Sequence, residues 1–194
     1  ANASASARAY VEDSRTLVFP KQPEPYTYNV STYLGMLLAK TGEDPAAIRR
    51  YIEAQVAEAV PETLSHFDAF FFILPPVFLL LKDMLLTKFD ELFGAQVSAR
   101  VFTAAQSRHA KTLVPSAREC FISMGEENTQ FGARAARVYI PLPEHTGWGA
   151  AMAILYYVVG RIQKQHPPYF KDNIERYTAE ASEMFGEQIP VIVA

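Results

Sequence analysis

From Phe67 to Gly94 the chain reads FDAFFFILPPVFLLLKDMLLTKFDELFG, the densest run of apolar side chains in its 194 residues. Such a run has to be buried, and the manner of its burial limits the fold. Ala69 to Leu81 carries no charge and no hydrogen-bonding side chain, yet a helix needs roughly 17 to 25 apolar residues to span a bilayer. The run is too short. Extending it to Leu86 brings in Lys82 and Asp83, each costly near a membrane centre. Pro75-Pro76 divides it further. A residue before proline is pushed out of the α region, whereas proline suits the first helical position, where its missing N–H costs nothing. The spacing therefore predicts an extended or helix-ending segment up to Leu74 and a helix from Pro76 to Gly94. Val77 to Leu81 is apolar on every side, while Leu85, Phe89, Leu92 and Phe93 then share one face.

Helical periodicity governs much of the remainder. Val30, Tyr33, Leu34, Leu37 and Leu38 follow the amphipathic template up to Thr41-Gly42. Asp44-Pro45 supplies an N-cap and a first helical residue for the stripe Ile48, Tyr51, Ile52, Val56 and Val60. A short helix is expected from Pro61 to His66, and another over Gln96 to Lys111 from Val97, Val101, Ala105 and Arg108. Cys120 then falls in a short turn capped by Ser116, Gly125 to Gly132 in a polar loop, and Val138-Tyr139-Ile140 in a short strand. Gly147 to Gly160 is a second apolar helix with no polar face, and the expected packing partner of the first. Phe170, Ile174, Tyr177, Ala181, Met184 and Phe185 define a last amphipathic helix that stops at Gly186.

Together these features predict a mainly α fold, an irregular helical domain of about six to seven helices with extended terminal arms and at most a few short strands. The expected organisation is an N-terminal arm over 1–25, one helical domain over 26–187, and a C-terminal arm or short strand over 188–194. Thr16 to Phe19 is a short strand candidate within the first arm, ahead of a polyproline-like Pro20 to Pro25.

Composition excludes several classes of function. The net charge of −3 disfavours a dedicated nucleic-acid binder. Charge is unevenly placed, however, and Arg100, Arg108, Lys111, Arg118, Arg134 and Arg137 make the 100–137 segment locally basic, which keeps a phosphate- or nucleic-acid-binding module open as one alternative. A single cysteine forbids an internal disulfide and a cysteine-based zinc cage, and favours a reducing or organellar compartment over secretion. The opening ANASASAR, small and acid-free, reads as the product of Met removal or as the start of a mature chain after cleavage.

Catalytic signatures are weak. Cys120 with His109 or His145 could form a thiol–base pair, which leaves a soluble enzyme with a pocket between helices as a second alternative. His66 with Asp68, or Glu144 with His145, lacks the spacing that places two metal ligands on one helical face. Gly147-Trp148-Gly149 has two glycines of a dinucleotide loop but not the third, and Trp148 would crowd the pyrophosphate. No catalytic, cofactor-binding or metal-ligating residues are therefore assigned, and no cofactor is expected. The leading expectation is a non-catalytic structural or accessory subunit of a large assembly, intracellular, such as an organellar membrane complex or a viral particle. Its partners would be other protein subunits, with peripheral or partial membrane contact as one form and nucleic acid disfavoured. The interaction surface is expected at Phe70, Phe71, Phe72, Phe78, Leu81, Leu85, Phe89, Trp148, Tyr156 and Tyr157.

Overall fold

The structure, a computed structural model, describes residues 31–109, 112 and 114–191. The N-terminal arm expected over 1–25 lies outside them. Four strands form one parallel sheet in the order β2-β1-β3-β4: β1 is Ala69–Ile73, β2 Ser98–Phe102, β3 Glu119–Met124 and β4 Arg137–Ile140. This overturns the expectation of a mainly α fold. About 13% of the described residues are strand against about 52% helix, but the sheet is the layer on which the helices pack, and the fold is α/β.

β1 is the centre of the molecule, and its sequence shows why. Successive residues of a strand point to opposite faces, so the three consecutive phenylalanines divide between two clusters. Phe70 and Phe72 meet Phe89 with ring centroids 5.8 and 5.7 Å apart. Phe71 turns the other way, against Phe121 at 4.9 Å and Phe102 at 5.3 Å, with the Arg100 guanidinium 4.9 Å from its ring centre. All three are fully buried. Truncating any of them to alanine removes about 3 to 5 kcal/mol.

Pro75 ends β1 in extended backbone, and Pro76 opens a 3-10 turn, Pro76–Leu81, which feeds α4, Lys82–Phe93, with Gly94 as its C-cap. The expected helix start at Pro76 thus begins as 3-10. α4 returns the chain to β2 and buries Leu85, Phe89, Leu92 and Phe93 in the larger core with Phe70 and Phe72. The strand order sends the β1–β2 and β3–β4 connections in opposite directions, and right-handed crossovers then require opposite faces. Phe131, from the β3–β4 connection, accordingly packs with Phe71 and Phe121.

Before the sheet lie α1, Ser31–Thr41, and α2, Pro45–Tyr51, prolonged by a π turn over Ile52–Val56 and by α3, Ala57–Ala59. Asp44 caps α2, its carboxylate accepting from the Ala46 amide at 2.9 Å. α6, Trp148–Gln163, packs on α1, α2 and α4, and Phe78 meets Trp148 edge to face at 5.6 Å. The last helix, α7, is Ile174–Phe185, ended by Gly186 in the left-handed conformation.

Three further local expectations are corrected. Pro61 to His66 is not helical; its Leu64 amide and Pro61 carbonyl are instead held by the side-chain amide of Gln165. The helix expected over Gln96 to Lys111 is β2 followed by the four-residue α5, Ala104–Ser107, which begins at a reciprocal capping box between Thr103 and Gln106. Val97 and Val101 share a face at i, i+4 in a helix, but they also share one in a strand, where Ala99 joins them against the larger core. Cys120 lies in β3 rather than in a turn; the turn ends at Arg118, whose amide donates to the Ser116 hydroxyl.

Candidate functional site

In open parallel sheets, ligands bind beyond the carboxyl ends of the strands, where the strand order reverses. Here that point lies between β1 and β3, at the loops starting with Leu74-Pro75 and Gly125. The chain fills it with its own side chains. A Cβ on Gly125 would lie 3.0 Å from Leu142 Cδ1 and 3.6 Å from Pro75 Cγ, so both residues rest directly on the glycine. Gly125 has φ +72°, which a side chain would strain.

The N-terminus of α6 reaches the same end of the sheet, since it follows β4 and Trp148 touches Phe78. A helix start carries free amides and partial positive charge, the usual seat for an anion. Glu43, from the turn between α1 and α2, occupies it. Its Oε2 accepts from the Gly149 amide at 2.7 Å and its Oε1 from the Ala150 amide at 2.9 Å. Burial alone would raise the pKa of this carboxyl, but the Thr41 hydroxyl and the amides of Ala150, Gly149 and Gly147 outweigh it and hold the group below 4.5. The two glycines have a steric reason. A Cβ on Gly147 would overlap the Glu43 carboxylate, and one on Gly149 would lie 2.6 Å from Leu38 Cδ2 and 2.8 Å from Glu43 Oε2. Gly147-Trp148-Gly149 is thus shaped to admit a carboxylate from the chain itself.

Beside this edge, a groove of about 460 Å³ runs between the Gly125 to Gly132 loop and β4, lined by Ser123, Glu127, Asn128, Thr129, Arg134, Arg137, Val138 and Tyr139. Much of its polar lining is committed internally. The Arg137 guanidinium donates to the carbonyls of Thr129 at 2.6 Å, Phe131 at 2.9 Å and Gly132 at 2.6 Å, and to Gln130 at 3.2 Å. Asn128 Oδ1 accepts from the amides of Gln130 and Phe131, and the Asn128 amide donates to the Ser123 hydroxyl. Of the other basic residues in 100–137, Arg100 pairs with the buried Glu119 and Arg118 with Asp68. Arg108 and Arg134 line the loop grooves, and Lys111 lies outside the described residues.

Most of the residues expected to form an interaction surface are inside the fold. Phe70, Phe71, Phe72, Phe78, Leu81, Leu85 and Phe89 are buried in the core clusters, while Trp148, Tyr156 and Tyr157 are half-buried against the larger one. Burial raises the Tyr156 phenol to about 12, with Glu91 and Tyr33 adding to the effect. The large apolar side chains that do reach the surface include Tyr33 and Met36 on α1, Val77 and Leu80 on the 3-10 turn, and Met184 and Phe185 on α7.

Cys120 is fully buried on the helix-facing side of β3, and burial, aided by Glu119, raises its thiol to about 12. A group held so firmly neutral is no nucleophile at ordinary pH. His109 and His145, its expected partners, are both exposed. The histidine singled out by the structure is His166. Its Nε2 is buried with no hydrogen-bond partner among the described residues, and its ring lies edge-on to Phe70 and Phe93. No local spacing marks Glu43 or His166, since Glu43 meets Gly149 and Ala150 and the His166 ring lies against Phe70 and Phe93, all far off in the sequence.

Among the described residues, no group of three or more His, Cys, Asp or Glu side chains is placed to hold a metal ion, and no helix is long and apolar enough to cross a membrane. No family model, curated protein or solved structure matches the chain.

Proposed function

We propose that this chain is a non-catalytic accessory subunit of a larger multi-subunit assembly, an α/β body that presents apolar side chains to neighbouring protein subunits. The observation that carries the reading is the self-filled edge of the sheet. Leu142 and Pro75 cover Gly125, and Glu43 takes the amides at the start of α6, in the two places where a parallel α/β fold would otherwise receive a ligand. Meanwhile large apolar side chains stand exposed on α1, on the 3-10 turn and on α7, as contact surfaces do. Peripheral contact with a membrane is one form such an assembly takes.

The test is the native state of the chain. A tagged copy expressed at its natural level and gently extracted is expected to sediment with a fixed set of proteins in constant proportion, well above its own 21.7 kDa. Sedimentation at monomer mass across a range of salt would overturn the proposal.

A further inference from the structure

Just past α6 the chain sets an imidazole into the core. Gln165 is fastened to the body, its side-chain amide holding the Leu64 amide and the Pro61 carbonyl. The amide of the next residue, His166, donates to the Gln163 carbonyl at 3.2 Å, and its ring lies against Phe70 of β1 at 6.2 Å and Phe93 of α4 at 5.7 Å. The residue is half-buried, but Nε2 is shut away from water and has no hydrogen-bond partner among the described residues. Buried polar atoms nearly always find one. A phenylalanine would fill the same place without that cost; what the imidazole adds is a charge that changes between about pH 5 and pH 8.

The chain beyond this ring is loosely held. Pro167 and Pro168 are exposed and have no N–H to donate. Among the described residues, the hydrogen bonds and ion pairs of 167–191 stay within that stretch. The amides of Tyr169, Asp172 and Asn173 donate to the carbonyls of Pro167, Pro168 and Phe170, the Ile189 amide to the Ser182 hydroxyl, and Arg176 pairs with Glu180. No residue of α7 is buried. Contact with the body centres on two half-buried rings, Tyr169 against the larger core and Phe170 over Gly94. Two successive prolines have fixed φ, so a displacement of His166 is passed on to Tyr169 and Phe170 instead of being absorbed between them.

Protonation supplies such a displacement. An imidazolium donates from both nitrogens, and here the Nε2 donor would be buried without an acceptor. The charged and titratable groups on the surrounding elements are Glu62 and His66 ahead of β1, Asp68 with its partner Arg118, Asp90 and Glu91 on α4, Arg161 and Lys164 near the end of α6, and Lys171 and Asp172 beyond it. Burial pushes the imidazole below 6.5 against the upward pull of Asp68, the one of these groups whose charge reaches it. The docked ring is therefore the neutral one. Its hold is complete above 6.5 and weakens as pH falls from there towards the docked value.

We propose that His166 is a proton-operated latch on the C-terminal limb: neutral, it wedges against Phe70 and Phe93 and seats Tyr169 and Phe170; protonated, it leaves for water and lets 167–191 come away from the body. The latch operates in the chain alone, whatever assembly the chain enters.

The test is amide hydrogen exchange of the full chain, read by mass spectrometry from about pH 7.5 down to about pH 4.5, each rate divided by the intrinsic rate at that pH. A helix of 12 residues, the length of α7, is marginal without tertiary contacts, so release exposes its amides. Protection of α7 is expected to fall by up to about tenfold per pH unit below 6.5, while protection of β1 and β3 holds. His166→Phe keeps an apolar ring without the proton, and should make α7 protection independent of pH. If that variant fails to fold, the wild-type chain still decides, because the fall in α7 protection must level off at the midpoint of the His166 imidazole titration followed by NMR. Constant α7 protection, a loss that spreads equally to β1 and β3, a loss that persists in His166→Phe, or a fall that ignores the His166 midpoint overturns the proposal.

Discussion

Replacing Glu43 by alanine removes the acceptor of two backbone amides, those of Gly149 and Ala150, at the buried first turn of α6. The loss of a helix N-cap costs about 0.5 to 2 kcal/mol, and the missing negative charge near the helix start adds roughly 0.3 to 1 kcal/mol at a partly exposed site. Together these put Glu43→Ala at about 2 kcal/mol. For a chain of this size each kcal/mol shifts Tm by roughly 2 to 4 °C, so thermal unfolding followed by circular dichroism should move down by about 4 to 8 °C. Glu43→Gln keeps one acceptor oxygen and loses the charge, and should fall between alanine and the wild type. The pH dependence gives a second check. Because the carboxyl is held below 4.5 in the folded chain, its contribution is complete above that value and is lost as pH falls through the lower folded pKa. The gap between the wild type and Glu43→Gln should therefore be full at neutral pH and shrink in acid. A cost below about 0.5 kcal/mol for Glu43→Ala, within the range of ordinary surface substitutions, or a gap unchanged into strong acid, would refute the capping role.

Three other changes and one labelling experiment test the same geometry. Arg100→Met leaves Glu119, whose side chain is 6% exposed, without its guanidinium; breaking such a pair costs about 3 to 5 kcal/mol when fully buried, and the part-exposed arginine lowers that to roughly 2, measurable by urea unfolding. Gly132→Ala places a Cβ into the Phe121 ring at φ +72°, and a drop of about 3 kcal/mol or failure to fold is expected. Burial lowers the His166 imidazole below 6.5 against the upward pull of Asp68, so stability should fall as pH drops through 6.5 towards the folded value, and His166→Phe should flatten that part of a Tm–pH profile. Cys120 should react with a thiol reagent only as fast as the chain unfolds; prompt labelling in the native state would place it elsewhere.

The helices were legible where periodicity is amphipathic and caps are local. α1 and α2 form at the expected stripes, Asp44 caps as its type suggests, and Gly94 and Gly186 end their helices. The sheet was not legible, for a reason found in β1. A central strand of a parallel sheet is covered on both faces, so Ala69–Ile73 shows a continuous apolar run instead of alternation, and such a run does not differ from enclosed helix by pattern alone. β2 was hidden by the coincidence of i+4 spacing in Val97 and Val101, and β3 by a composition with little β-branching, ECFISM. β4, with Val138 and Ile140 buried and Tyr139 exposed, shows the alternation that the inner strands lack. At the candidate site, the glycines at 147 and 149 were visible, but the carboxylate they accommodate comes from position 43.

The closure of the sheet's carboxyl edge is tested most directly by titrating the isotopically labelled chain with magnesium ATP and with inorganic phosphate while following the amide signals of Gly125, Gly147 and Gly149. With Leu142, Pro75 and Glu43 in place, these signals should show no saturable shift up to about 1 mM ligand, a concentration that corresponds to about −4 kcal/mol of binding. A saturable shift centred on these glycines at lower concentration would contradict closure, and with it the observation that supports a non-catalytic role.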